Sequence, residues 1–200
     1  LHRKGYPIVS FARICQELPI PKVVEDDFNG LYTTTNHLIG KGRKRIALLA
    51  GPKQLLASKL RLNGYKVALQ QHGIPYDKDL VANTRFRTTD VASALDKWLG
   101  LSAPPDGICT VYDAGAIKLM QLIKAKGLRI PQDIAVVGFG DDPAAAIIEP
   151  GLTSFAQKPY ELGTIAGKYM LELLNDKYTH FHSEMNICKG QLIVRKSSDG

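Results

Sequence analysis

The sequence predicts a doubly wound α/β fold, a parallel sheet with helices on both faces. Two observations carry that expectation. Short strand-like segments recur at 46–50, 80–83, 107–111 and 134–138, the first of them a continuous apolar run with the pattern of a strand buried on both faces. Between them lie single segments with apolar residues at helical spacing, so successive strands are joined by crossover helices and run parallel.

The elements follow in order. Leu31, Leu38 and Ile39 stand at i, i+7 and i+8, which makes one apolar face on a helix starting near Asp27 or Asn29, and Gly40 and Gly42 end it. The stretch "GKGRKRIALLAG", residues 40–51, then places Lys41, Arg43, Lys44 and Arg45 at the negative end of that helix's dipole. A solvated turn before the first strand is the expectation for them, rather than a grip on nucleic acid. Leu62, Tyr65 and Leu69 mark the next helix, closed by Gly73 and Pro75. Thr88 or Thr89 can cap a third, whose Val91, Leu95, Trp98 and Leu99 share a face. Ala116, Leu119, Met120 and Ile123 mark a fourth, closed by Gly127.

After residue 138 the rhythm changes. A strand-like 152–157 precedes a helix with Leu162, Ile165, Ala166, Tyr169 and Leu173 aligned. The apolar 7–12 also needs a sheet to join, and its pairing with 152–157 in a second subdomain is the expectation. These pieces are thin for an independent core. The chain is therefore expected to be a fragment whose N-terminal part supplies the rest of that second sheet.

Two hundred residues at 44% hydrophobic suffice for a sizeable core, so disorder is excluded as the general state. A formal charge of +7 permits attraction to acidic partners without naming one. Cys15, Cys109 and Cys188 are odd in number and widely spaced, which removes a disulfide framework and any CxxC motif and suits a reducing, cytoplasmic setting. No apolar run reaches membrane-spanning length, and no export signal opens the chain.

Ligands of open parallel sheets bind beyond the carboxyl ends of the strands, where loops and helix N-termini converge. Those ends carry Gly51, the segment 83–86 with Phe86, Tyr112 with Asp113, and Gly140 with Asp141 and Asp142; Arg61 opens the following helix. An aromatic ring with planar hydrogen-bonding groups suits a sugar or nucleobase. Taken singly, Asp113 and Asp141 could cap helices, Phe86 could be core and Arg61 could pair with a surface carboxylate. Catalytic signatures are missing: there is no GxSxG, HExxH or GxxxxGK[ST]. "GFGDDP" begins like a dinucleotide turn, but Pro143 replaces its third glycine. Asp26 and Asp27 read as a helix cap, and His180, His182 and Glu184 lack a supporting metal motif. No enzyme activity, metal or cofactor is expected.

"GKGRKRIALLAGP", "RLNGYKVALQQHGI", "GLRIPQDIAVVGFGDDP", "PGLTSFAQ" and "LIVRKSS", in this order and spacing, resemble the effector-binding domain of the LacI/GalR bacterial transcriptional repressors. The resemblance runs over nearly the whole chain from Pro7. It implies a periplasmic-binding-protein-like I fold, α/β with doubly wound parallel sheets in two subdomains, the N-terminal one incomplete here. Residues 1–39 would be a remnant of that subdomain with a crossover, and 40–150 the C-terminal subdomain. Residues 151–178 would return to the N-terminal subdomain, and 179–200 would supply the final strands of the C-terminal one. A small effector, sugar or related metabolite, would lie in the cleft between subdomains.

The resemblance also implies a homodimer, and operator DNA bound through a helix-turn-helix outside this chain. By position it makes Arg61 an effector hydrogen-bond donor, Phe86 a stacking ring, Asp113 a polar ligand and Gln157 a pocket-lining crossover residue. Tyr112 stands where the family has Asn, Gly140 replaces the first aspartate of "GFDD" ahead of Asp141, and Ala12 replaces an acidic residue. Lost hydrogen bonds of that kind cost about 1 to 3 kcal/mol each for a hydroxylated ligand, so sugar specificity does not transfer simply. The run 144–148, with Ala144, Ala145, Ile147 and Ile148, is the candidate dimer face. A transport solute-binding protein shares the fold and is the alternative reading.

Overall fold

The computed structural model describes residues 1–175 and 185–199, and His180, His182 and Glu184 lie outside them. The chain divides into two compact units, residues 1–26 with 157–190, and residues 27–156 with 191–200.

The smaller unit holds a parallel three-stranded sheet of β1 (Ser10–Phe11), β2 (Lys22–Glu25) and β8 (Met185–Cys188), with β2 central. Helix α6 (Pro159–Leu174) covers it, setting Leu162, Ala166 and Tyr169 against Val23 and Cys188. Residues 7–12 thus pair with 22–25, not with 152–157. The second strand escaped the sequence reading because a lysine opens it. That Lys22 is buried, and its Nζ donates to the carbonyls of Leu18 at 2.6 Å and Ile20 at 3.2 Å.

The larger unit is built on six strands in the order β4-β3-β5-β6-β7-β9. These are β3 (Ile46–Ala50), β4 (Val81–Asn83), β5 (Gly107–Thr110), β6 (Ala135–Gly140), β7 (Thr153–Ala156) and β9 (Gln191–Ile193). All pair parallel except β9, which is antiparallel to β7. Segment 152–157 therefore joins the main sheet, since Thr153, Ser154 and Phe155 are buried and pair with β6.

The strands are apolar on both faces because both are covered. Ile46, Leu48 and Ala50 pack toward α1 (Asp27–Gly40) and α2 (Leu56–Gln71), with Leu31, Leu38, Tyr65 and Leu69 in the same cluster. Ala47 and Leu49 pack toward α3 (Thr88–Leu99) and α4 (Asp113–Ala125), among Leu95, Trp98, Leu119 and Ile123. Helix α1 thus belongs to the larger unit, although the sequence-based partition placed it with residues 1–39. Likewise β8 belongs to the smaller unit, and among the described residues of the 179–200 segment β9 is the strand that joins the larger sheet. The chain crosses back one strand later than that partition allowed, because β8 pairs with β2 before β9 joins β7.

Helices α1 and α2 cross closely at Gly64, where a Cβ would stand 2.2 Å from the Phe28 carbonyl oxygen. The cations after α1 are not a free turn. Arg43 donates to the Pro131 carbonyl at 2.6 Å, Arg45 pairs with Asp77 at 2.9 Å, and Lys41 pairs with Asp199. Asp106 accepts from the backbone N–H groups of both Lys44 and Arg45. The cluster fastens neighbouring loops to the sheet.

The C-terminal residues close a buried polar chain. Ser197 Oγ donates to the Val136 carbonyl at 2.6 Å, Ser198 Oγ to Thr153 Oγ1 at 2.7 Å, and His37 Nε2 lies 2.7 Å from Ser198 Oγ. Burial, then Lys41, holds the His37 pKa below its ordinary value, against an opposing pull from Asp199. The unfolded chain thus binds the His37 proton more readily, and stability from this group is present above pH 6.5 and lost as pH falls through the folded pKa. His37→Gln is expected to flatten the denaturation midpoint between pH 7 and pH 5; an unchanged slope would contradict the assignment.

Candidate functional site

The order of strands places the site. From β3 the chain moves to β4 through α2 on one face, then returns past β3 to β5 through α3 on the other. Between β3 and β5 the connections diverge, and it is at the carboxyl ends beside such a switch point that doubly wound sheets place a ligand crevice. Arg61, Phe86, Tyr112 and Asp113 all gather around it, and Gly140 and Asp141 end the next strand along.

Phe86 follows β4 with φ +63°, a left-handed backbone that non-glycine residues rarely adopt. The residue stays 42% exposed, so the strained turn leaves a large apolar side chain partly in solvent instead of burying it. The ring meets Tyr112 edge-on, centroids 4.9 Å apart, and lies over Gly51, where a Cβ would come within 3.1 Å of its Cζ. Tyr112 in turn rests on Gly115, where a Cβ would meet its ring at 2.4 Å. Burial raises the Tyr112 phenol above its ordinary pKa, eased by the Thr84 hydroxyl. The Tyr112 hydroxyl lacks a well-formed hydrogen bond among the described residues.

Arg61 is held on three sides. Its Nε and Nη2 each lie 2.7 Å from Asp27 Oδ1, its Nη1 donates to the Val111 carbonyl at 2.5 Å, and its Cζ stands 3.8 Å from the Phe139 ring centroid. Asp27 is therefore the ion-pair partner of Arg61, beyond the capping role that its neighbourhood suggested. Asp113 is buried and accepts from Ser154 Oγ and from the Asp142 N–H, both at 2.7 Å. Burial pushes its pKa up, and the hydrogen bond from Ser154 pulls back most. This carboxylate pins the loop after β6 instead of facing solvent. Its seat requires Gly138, where a Cβ would stand 2.1 Å from Asp113 Oδ1.

Gly140 has φ +132° and Asp141 φ +56°, so the loop turns through two left-handed residues. Asp141 pairs with Arg195 at 2.7 Å, and Arg195 also donates to the Leu152 carbonyl. Asp142 is the cap of α5 (Pro143–Ile147), accepting from the Ala144 N–H at 2.8 Å. Gln157 follows directly on β7 and opens the second segment of the smaller unit.

Ala145 is wholly buried in the core beneath α4, so it leaves the outward face proposed for 144–148; Ile147 is 85% exposed. Sequence reasoning missed Asp27, Ser154, Phe139 and Arg195. The only signal for Arg195 was its place in "LIVRKSS". A shallow basin at the opposite end of β3, between Arg45, Tyr65, Ile74 and Leu80, has its polar groups occupied, since Tyr65 donates to the Ile46 carbonyl and Arg45 holds Asp77.

The doubly wound sheet agrees with the comparisons: the chain belongs to the periplasmic-binding-protein-like domain family, whose profile matches residues 35–198. It is similar to the HTH-type transcriptional repressor CytR of Escherichia coli, 30% identical over 192 residues, covering 96% of this chain and 56% of the relative. It is also similar to the HTH-type transcriptional regulator CelR of Thermobifida fusca, 34% identical over 174 residues, covering 86% and 50%. The chain spans about half the length of these curated relatives.

Among solved structures, a CelR–cellobiose complex superposes with a TM-score of 0.89 at 29% identity, covering 96% of this chain and 59% of the other. A LacI-family regulatory protein from Chloroflexus aggregans superposes with a TM-score of 0.91 at 27% identity, covering 98% and 70%. No described helix is long and apolar enough to cross a membrane.

Proposed function

We propose that this chain is the effector-binding part of a LacI-type transcriptional regulator, and that a small molecule rests on the carboxyl ends of the larger sheet. The observation that carries the reading is Phe86, a half-exposed ring held in a strained backbone at the crevice between β3 and β5. The regulators among its relatives favour this over a transport solute-binding protein, and the cellobiose in one neighbour favours a sugar-like ligand. Gln157 is a further polar contact in this reading. Operator DNA is read by a segment outside this chain, in the cytoplasm, and the chain senses without turning its ligand over.

The gene's complete product, screened by thermal shift against sugars, sugar phosphates and nucleobases, tests this. A ligand that binds only the folded state raises the midpoint by mass action. At least one panel member is expected to do so, and Phe86→Ala to abolish the shift. A ligand that stabilises wild type and Phe86→Ala alike would contradict the placement. Arg61→Ala is a poorer probe, because it leaves Asp27 buried without its charge partner.

The same reading makes the protein self-associate through the outward side of 144–148, where Ile147 stands exposed beside Ala144 and Ile148. Ile147→Asp is expected to lower the mass measured by light scattering. An unchanged mass would remove this face from the interface.

A further inference from the structure

A continuous row of hydrogen bonds crosses the larger unit from the end of α1 to the loop after β6. His37 Nε2 lies 2.7 Å from Ser198 Oγ, which donates to Thr153 Oγ1 at 2.7 Å. Thr153 Oγ1 donates in turn to the Arg195 carbonyl and accepts from the Arg195 backbone N–H, both at 2.7 Å. The Arg195 guanidinium then reaches Asp141 Oδ1, also at 2.7 Å. All five residues belong to the larger unit, and Thr153 and Ser198 are buried.

Counting hydrogens fixes the direction of the row, because a hydroxyl has one proton to give. Thr153 gives its proton to the Arg195 carbonyl and Ser198 gives its own to Thr153, so the hydrogen between His37 and Ser198 comes from the ring. Neutral His37 therefore carries its proton on Nε2, and Nδ1 is the atom that titrates. The charged groups facing the ring are Lys41, one turn on from His37, and Asp199, which pairs with Lys41. Strands β5, β6, β7 and β9, which lie against α1, bring no charged side chain. On α2, Arg61 is spent on Asp27, Lys66 lies over the Tyr76 ring and Lys59 stands exposed, while His72 just beyond it meets Asn36.

A proton on Nδ1 sets a second positive charge beside Lys41 where burial already disfavours one. The closed segment 195–199 thus binds that proton less readily than a loosened one, so proton uptake favours loosening. At the far end of the row, Asp141 is a left-handed residue, φ +56°, in the turn that follows β6, and Arg195 is its ion-pair partner. We propose that His37 is a proton-sensitive positioning residue for the loop 140–142, acting through Ser198, Thr153 and Arg195 on Asp141. Near neutrality the row is closed and the loop is held. In acid the row opens and the loop slackens, so a ligand resting on that loop binds more weakly as pH falls.

Nuclear magnetic resonance of the gene's complete product, labelled at glycine and histidine, tests this with no ligand present. From about pH 7.5 down to about pH 5, the Gly140 amide is expected to shift with the same midpoint as the His37 ring. The ring signal is assigned by its loss in His37→Gln. That variant keeps an N–H donor for Ser198 and cannot titrate, so the Gly140 shift should vanish with it. Ser198→Ala cuts the row one step further on: the ring should still titrate while Gly140 stays still. A Gly140 amide indifferent to pH, or moving with a different midpoint, overturns the proposal. Movement that survives in His37→Gln also overturns it, because the titrating group is then Asp113 or Asp141 itself. Movement that survives in Ser198→Ala does the same, because the row is then not the route. Circular dichroism checks that Ser198→Ala folds, and if it does not, His37→Gln decides alone. Since no ligand enters the titration, its failure leaves the effector reading untouched, and an empty ligand screen leaves this proposal untouched.

Discussion

Asp113→Ala is expected to lower stability by about 3 to 5 kcal/mol, the largest effect of any single change around the site. The carboxylate accepts from Ser154 Oγ and the Asp142 N–H in a place where water does not reach. Alanine leaves both donors without an acceptor, and a buried unsatisfied group costs about 1 to 3 kcal/mol. Gly138 offers no side chain to fill the space, because its bare backbone is what admits the carboxylate. The loss falls on the loop through Gly140 and Asp141, whose two left-handed residues have no other anchor from α4. Asp113→Asn keeps one acceptor oxygen and should lose less than half as much. Urea denaturation of the two variants checks the ranking, and equal midpoints for Ala and wild type would refute the role assigned to Asp113.

Gly64→Ala is expected to cost about 3 kcal/mol and to lower the thermal midpoint by roughly 8 °C. Alanine would ordinarily favour a helix by about 1 kcal/mol over glycine, so the expected sign runs against local propensity. What decides it is the added Cβ, 2.2 Å from the Phe28 carbonyl oxygen and 2.9 Å from the Tyr32 nitrogen. Both obstacles are backbone atoms of α1 and cannot rotate aside. Helix α1 must withdraw, and it carries Asp27, the partner of Arg61 on α2. Ligand affinity should therefore fall together with stability, whereas a cavity elsewhere in the core would lower stability alone. A midpoint raised by the substitution would mean that the helices do not cross here as described.

What could be read from the sequence followed from period and punctuation. Strands β3, β5 and β6 stood out as apolar runs because both faces are covered, and α3 because Val91, Leu95 and Trp98 repeat at helical spacing. Strand β2 did not, since its Lys22 and Glu25 imitate a loop, and the burial of Lys22 depends on carbonyls that only the folded chain brings to it. Strand β7 was seen, but its sheet was not: four residues carry no record of which neighbour they will pair with.

The strand-end places of the candidate residues were legible because strand ends can be read along the chain. Their partnerships were not. Asp27 and Arg61 are 34 residues apart, and Asp141 and Arg195 are 54 apart, distances over which no local pattern operates. That is also why the cations at 41–45 looked free: Asp77, Pro131 and Asp199 reach them only through the fold.

The central claim is that ligand binds at the carboxyl ends of the larger sheet. Hydrogen exchange of the gene's complete product, with and without the panel compound that stabilises it, tests this most directly. The account predicts slowed exchange concentrated at residues 51–55, 84–90, 112–115 and 140–142. Protection that spares those segments and gathers instead at the opposite end, around 44–46 and 74–80, would contradict it.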